Sequence, residues 1–256
     1  MREPFGVSYS LVHYYALGYI TDVLRQDGSQ IEQLHAMRGM ESTRAIQENF
    51  ESKFLYVAGV TAQTASNTNA VNGFAHRWVA DSAANDTHVV GLQDFIEMKL
   101  SFDKANVPQQ GRICLVDPVT EAALNKLAAT FNVDRNPQFQ QLLEEGFAKT
   151  NKFLFNLLGW DIWTSNRLAR TPAAETITGP SGVAETSAAG YVANVFMSVL
   201  DDSTRPIMGA WRQMPSVEGE RNKDLARNEY VTRARFGFGR QRPETLGVVL
   251  SHPTNH

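Results

Sequence analysis

Residues 229–250 read Glu-Tyr-Val-Thr-Arg-Ala-Arg-Phe-Gly-Phe-Gly-Arg-Gln-Arg-Pro-Glu-Thr-Leu-Gly-Val-Val-Leu, and their pattern decides the fold class. Tyr230, Thr232, Ala234, Phe236 and Phe238 share one side of an extended chain, and Arg233 and Arg235 share the other, because successive strand side chains alternate between faces. That period predicts a strand over 229–238 with one packed face and one charged face. Leu246–Leu250 predicts a further strand closing the chain.

Working back from this point, two more strands are expected at Tyr191–Leu200 and Ile207–Met214, while residues 171–190, rich in Thr, Ala, Gly and Ser, are expected to form a loop. Gly159–Asn166 predicts a strand ending in a turn, and an amphipathic piece is expected over Pro137–Leu154. Gly111–Val116 predicts a buried strand, followed by Asp117-Pro118 as N-cap and first position of a helix reaching Phe131. Leu92–Asn106 is expected to be a helix that buries Leu92, Phe95, Ile96 and Leu100 and ends before Pro108. Phe74–Trp78 adds a short strand, and residues 61–73 a surface loop.

The longest predicted helix is Gln30–Ala58. Ser29-x-x-Glu32 makes a capping box at its start, and Ile46, Phe50, Phe54 and Ala58 recur every four residues, with a bend allowed at Gly39. Ahead of it, Phe5, Tyr9, Tyr14, Tyr15 and Tyr19 stand among Val7, Leu11, Val12, Leu17 and Ile20, with residues 7–12 alternating as a half-buried strand does. So short a segment cannot bury these side chains in a core of its own, so it either lies on the main body or reaches a neighbouring subunit. Helices early and strands late make the chain α+β.

Composition narrows the function. The 256 residues are 43% hydrophobic and 20% charged, with net charge -3 and pI near 6.1, as in an ordinary globular protein. No run approaches 18 apolar residues, and Glu3 and His13 break any signal-like start, so the expectation is an intracellular chain without a membrane span. Cys114 is the one cysteine, which rules out an intrachain disulfide, a multi-thiolate zinc site and a Cys-x-x-Cys pair. Its place after Ile113 predicts a buried, inert thiol.

No catalytic constellation emerges. Walker, Gly-x-Ser-x-Gly and dinucleotide motifs are missing from the sequence. Glu144-Glu145 and Asp201-Asp202 are adjacent carboxylates, which point apart rather than at a shared proton. Among the six histidines only His252 and His256 have i, i+4 spacing, in a tail with no helical pattern. No catalytic residue, cofactor site or metal site is nominated, and an enzyme is not expected.

Charge is uneven, however. Between Thr204 and Arg242 nine cations, eight of them arginine, face four carboxylates. This local excess of five leaves the remainder at -8, and oppositely charged regions on identical subunits can pair. Arginine outnumbers lysine 17 to 7, a bias suited to bidentate carboxylate pairing. Arg235-Phe236-Gly237-Phe238-Gly239-Arg240 is superficially like an RNA-binding strand motif, but its aromatics fall on the packed face.

Beyond these patterns lies an ordered set of motifs. Trp211-Arg212-Gln213-Met214-Pro215, Glu218-x-Glu220-Arg221, Glu229-Tyr230, Arg233-x-Arg235-Phe236-Gly237-Phe238-Gly239, Gln241-Arg242-Pro243-Glu244-x-Leu246 and Val248-Val249-Leu250 follow one another. Upstream stand Ala105-Asn106-Val107-Pro108, Gly111-Arg112, Val116, Pro118, Gly159-Trp160-Asp161-Ile162 and Ser165-Asn166. Together, over about residues 30–250, they resemble the major capsid proteins of tailed double-stranded DNA phages.

That resemblance implies an α+β, HK-ninety-seven-like fold. Residues 1–29 would be an N-terminal arm or extended loop, 30–107 and 211–256 a peripheral domain with a spine helix, and 108–210 an axial domain. The long peripheral sheet would include the strands near 229–238 and 246–250. The family usually has both an arm and an extended hairpin before the spine helix, and 29 residues precede Gln30 here, so the expectation is that one of the two is reduced or that a precursor segment is absent. No lysine is marked for a Lys–Asn crosslink.

The function implied is self-assembly into the pentamers and hexamers of an icosahedral head around double-stranded DNA, in a virion assembled in the host cytoplasm. Partners would be other copies of the chain, scaffolding, portal and decoration proteins, and DNA bound without sequence specificity. Candidate inter-subunit contacts are Tyr9, Tyr14, Tyr15, Arg212, Glu218, Glu220, Arg221, Arg227, Glu229, Arg233 and Arg235. An encapsulin-type compartment and a nucleic-acid-binding module are the alternatives.

Overall fold

The computed structural model describes residues 12–22, 31–60, 68–80, 88–130 and 153–255. These divide between two compact units, with boundaries at 54/55, 207/208 and 239/240 rather than at 107/108 and 210/211.

The first unit contains strand β1 (Val12–Thr21), most of helix α1 (Ile31–Gly59), and most of strands β9 (Ile207–Asn222) and β10 (Arg227–Arg240). The strands form a sheet in the order β1-β10-β9. β1 runs antiparallel to β10, with Tyr14 opposite Ala234 and Tyr15 opposite Arg233. The described part of the aromatic N-terminal segment therefore lies on its own chain, one of the two alternatives its apolar content left open. Residues 7–11 and Ser29 of the expected capping box lie outside the described residues.

Helix α1 covers one face of this sheet. Ile46, Ala234 and Phe236 are buried together, with Tyr14, Phe50, Trp211 and Phe238 packed around them. Phe236 stacks on Tyr14 at 4.4 Å between ring centroids and meets Phe50 at 5.0 Å, and Phe50 stacks on Trp211 at 4.6 Å. Ser42 Oγ and Thr232 Oγ1 lie 2.8 Å apart, tying an earlier turn of the helix to the sheet. The helix runs through Gly39, whose carbonyl accepts hydrogen bonds from Ser42 and Thr43.

The second unit is built on a six-stranded sheet ordered β2-β11-β8-β3-β5-β4. Its strands are β2 (Arg77–Val79), β3 (Arg112–Val116), β4 (Phe153–Leu157), β5 (Trp160–Thr164), β8 (Val192–Ser198) and β11 (Leu246–Ser251). β11 is a correction to the expected layout: it belongs to this sheet and not to the one that holds 229–238. Every residue of β11 and β8 is buried, and a strand apolar on both sides needs a sheet covered on both faces.

Helix α2 (Leu92–Lys104) inserts Phe95, Met98 and Phe102 into that core. Ile96 and Leu100, expected inside, are exposed. The buried stripe follows i, i+3, i+7 instead of i, i+4, and both are helical periods. The Gly91 N–H donates to Asp94 Oδ2 at 2.9 Å, and Trp78 Nε1 donates to Asp94 Oδ1 at 2.9 Å, so one buried carboxylate caps the helix and anchors an indole. Helix α3 (Pro118–Thr130) starts as expected, with Asp117 Oδ2 accepting from the Val119 N–H.

Arg112 and Asn194, both buried in this unit, are satisfied locally. Arg112 donates to Asp103 at 2.7 Å and to the carbonyls of Val107 and Pro108 at 2.7 and 2.9 Å, locking the α2–β3 connection. Asn194 accepts from the Asp117 N–H and Thr120 and donates to Ser251 and the Val249 carbonyl. Gly111 has φ +71°, and a Cβ there would sit 2.8 Å from Leu200 Cα, so the turn into β3 requires glycine. Cys114 is fully buried, and burial pushes its thiol well up, as its apolar setting predicts.

Two further expectations change. Residues 171–190 contain a hairpin, β6 (Glu175–Thr178) with β7 (Ala184–Ser187), rather than a plain loop. β9 extends eight residues beyond Met214. The piece expected over 137–154 lies outside the described residues as far as 152, and at Phe153 the chain is in strand β4.

Candidate functional site

The sheet of the first unit has a second face, opposite α1. Alternation along β1 and β10 assigns Tyr15, Leu17 and Tyr19, with Arg227, Glu229, Val231, Arg233 and Arg235, to it, in register Tyr15–Arg233, Leu17–Val231 and Tyr19–Glu229. On β9, Trp211 belongs to the α1 side, so Arg212, Met214, Glu218 and Glu220 alternate onto the open side. Tyr15 is 75% exposed, Met214 66%, Leu17 60% and Tyr19 57%. Large apolar side chains exposed in a run and interleaved with arginines make this face the candidate interaction surface.

The arginines differ in their state. Arg221 forms a two-pronged bond to Asp22, at 2.8 and 2.6 Å, which holds its guanidinium protonated to higher pH. Arg227 donates to Glu229 at 2.8 Å and lies 4.8 Å from the centre of the Tyr19 ring. That hydrogen bond, with one from Asn222, lowers the Glu229 carboxyl. Arg233 pairs with Glu218 at 3.3 Å. Arg212 and Arg235 are exposed and have no ion-pair partner among the described residues, as is also true of Glu220.

Of the aromatics singled out in the sequence, Tyr14 is turned to the α1 side, where burial raises its phenol. Tyr15 is on the open face, and Tyr9 lies outside the described residues. Leu17, Tyr19 and Val231 also belong to the surface and were not singled out. The i, i+2 spacing of Tyr15, Leu17 and Tyr19 carried that signal.

Elsewhere the chemistry is structural. Among the described residues no cluster of His, Cys, Asp and Glu could hold a metal ion, and no helix is long and apolar enough to cross a membrane. Asp201 accepts from Ser203 and Thr204 in a turn, and Asp202 pairs with Arg205. His252 accepts from the N–H groups of Thr254 and Asn255, and His256 lies outside the described residues. Arg240 donates to the Val57 carbonyl in the last turn of α1, and burial together with nearby Arg77 pushes its guanidinium down to about 10.

Compared with known families, residues 19–251 match the family described as phage capsid protein. The chain belongs to that family. It is thus a structural protein of the phage capsid, and the two-unit α+β architecture is that of the HK-ninety-seven-like fold. Solved structures agree on the fold. A chain in the capsid structure of the cyanophage P-SCSP1u is 14% identical, with a TM-score of 0.60, covering 98% of this chain and 74% of that one. A chain of the structure described as Mycobacterium phage Che8 is 19% identical with a TM-score of 0.54, over 93% and 70%. The SrpI encapsulin complex of Synechococcus elongatus is similar as well, at 12% identity and a TM-score of 0.56, over 96% and 76%. A comparison with curated protein sequences gave no match.

Proposed function

We propose that this capsid protein assembles with copies of itself into pentamers and hexamers that close an icosahedral head around double-stranded DNA, inside the host cytoplasm. The observation that carries the reading is the family match over residues 19–251. The open sheet face supports it, because a shell subunit must present apolar and ionic surface to neighbours.

In this reading the unit with α1 and the β1-β10-β9 sheet is the peripheral domain, and the unit with the six-stranded sheet is the axial domain. Arg212, Arg233, Arg235, Glu218, Glu220 and Tyr15 are the inter-subunit contacts of first choice. Arg221, Arg227 and Glu229 shape the hairpin through their own bonds and meet neighbours secondarily. Each contact is weak, and closure of the shell multiplies it. Scaffolding, portal and decoration proteins are expected partners. DNA contact is electrostatic and independent of sequence, since a wall must accept any stretch of genome.

The likeness to the encapsulin complex favours one second reading, a compartment enclosing protein cargo. Particles purified from infected or expressing cells separate the two. Nuclease-protected DNA supports the phage head, and co-purifying protein without nucleic acid supports the compartment.

A further inference from the structure

In an antiparallel ladder a strand turns its backbone groups to a given neighbour at every second residue. The Asp22 N–H donates to the Ala226 carbonyl at 2.9 Å, one step past the pair Thr21–Arg227. By alternation Tyr14, Gly18 and Ile20 bond to β10, whereas Tyr15, Leu17 and Tyr19 turn their N–H and C=O groups to the other side. β1 is an edge of its sheet, so those groups meet no further strand among the described residues. The same three residues expose their large side chains.

The two edges of the sheet are built differently. β9 carries Pro215 and the charges Arg212, Glu218, Glu220 and Arg221, features that keep another strand from adding. From Val12 to Thr21, β1 has no proline and no Asp, Glu, Lys or Arg. This asymmetry favours pairing of β1 with its own copy, which closes as a two-fold dimer, over a β1-to-β9 contact, which would continue as a filament. Tyr15-x-Leu17-x-Tyr19 reads the same in both directions, so each of these residues meets its match in an antiparallel copy.

We propose that β1 pairs edge to edge with β1 of a second copy of the chain, antiparallel about a two-fold axis at Leu17, joining the two three-stranded sheets into one. Leu17 then lies opposite the partner's Leu17, and Tyr15 opposite the partner's Tyr19. These pairs exchange about six backbone hydrogen bonds, and their side chains gain cross-strand contacts. Charge does not oppose the pairing. The row through Tyr15 ends in Arg233 on one copy and Glu229 on the other. The row through His13 sets Arg235 and the partner's Arg227 three strand spacings apart, about 14 Å, beyond the ~8–10 Å over which exposed charges act. Main-chain bonds rather than area carry the contact, so it is weak for isolated chains and effective in a multivalent shell. The inference rests on the capsid reading only for that setting.

The test is cysteine cross-linking of the full chain with copper phenanthroline as oxidant. Cys114 is the one native cysteine and is buried, so an introduced thiol reports alone. Opposed Cα atoms in a bonded pair lie about 5.5 Å apart, within the ~4.4–6.8 Å of a disulfide, whereas Tyr15 and the partner's Tyr15 would be about 13 Å apart along the strands. Leu17→Cys should therefore cross-link to itself at least about tenfold faster than Tyr15→Cys or Tyr19→Cys alone. An equimolar mixture of the last two should react within about threefold of the Leu17→Cys rate. Adding Tyr15→Lys and Tyr19→Lys to Leu17→Cys sets like charges opposite each other and should slow its cross-linking at least about tenfold. All these side chains are exposed, so the fold is kept, which circular dichroism checks. A Leu17→Cys rate no higher than either single tyrosine variant, a mixture no faster than its components, or no effect of the lysines overturns the proposal. Normal shells that hold no Leu17→Cys cross-link would overturn the pairing and leave the capsid reading standing, whereas the expected cross-link pattern from a chain that forms no shells would support the pairing and count against the capsid reading.

Discussion

Replacing Phe236 with alanine tests how the arginine-bearing sheet is held in place. The ring is 1% exposed and contacts four others, Tyr14 at 4.4 Å, Phe50 and Trp211 at 5.0 Å each, and Phe238 at 5.8 Å. Truncation removes apolar burial and leaves a cavity between sheet and helix, a loss of about 3–5 kcal/mol for a buried phenylalanine. Much of the stacking, worth roughly 0.5–1.5 kcal/mol per aromatic pair, falls within that sum. Taking about 4 kcal/mol, amides of β10 and of α1 before Phe54 should exchange with solvent nearly a thousandfold faster by hydrogen–deuterium exchange. Phe236→Leu keeps most of the volume and should cost under about 1.5 kcal/mol. A rise under tenfold for the alanine variant would refute the claim that this cluster holds the sheet to α1.

Three further outcomes are expected. Arg112→Met should destabilise the protein by about 3 kcal/mol in urea unfolding, since the Val107 and Pro108 carbonyls lose a charged donor; a change within 1 kcal/mol would contradict that role. Burial lowers the His76 imidazole, so the unfolded chain takes up its proton first as pH falls. Its contribution to stability is complete above about pH 6.5 and lost below it, with a slope of at most about 1.4 kcal/mol per pH unit; His76→Phe should flatten the fall in unfolding midpoint between pH 7 and 5.5, and an unchanged fall would refute it. Arg233→Ala with Arg235→Ala should leave the unfolding free energy of the chain within about 1 kcal/mol, because both are exposed, while impairing assembly in light scattering; normal shells would remove these residues from the interface.

Much of the fold was legible where one period dominated. The alternation over 229–238 gave β10 and both of its faces, and Asp117-Pro118 marked the start of α3 because cap and proline are local requirements. Legibility failed where two readings shared one pattern. On α2, Ile96 and Leu100 fit a helical stripe as well as Met98 and Phe102, and only the neighbouring sheet chooses between them. The β6–β7 hairpin hid in small polar residues, since Ile177 is its one fully buried large side chain. β9 beyond Met214 was masked by Pro215 and charge, both of which an edge strand tolerates. The placement of β11 depended on its partners β8 and β2, which are distant in sequence.

The candidate surface was half legible. Its arginines and carboxylates stood out by composition, but whether Arg221, Arg227 and Arg233 pair within the chain is a matter of register across three strands. Charge counting could not distinguish these from Arg212 and Arg235, and Leu17 and Tyr19 gained their meaning only when β1 was seen to join β10.

The central claim is that this chain is a shell subunit, and electron microscopy of the purified full chain across salt and concentration, alone and co-expressed with a candidate scaffolding protein, tests it most directly. Closed icosahedral shells or ring-shaped capsomers built from five or six copies are the expected result. A chain that stays monomeric under all of these conditions would contradict it.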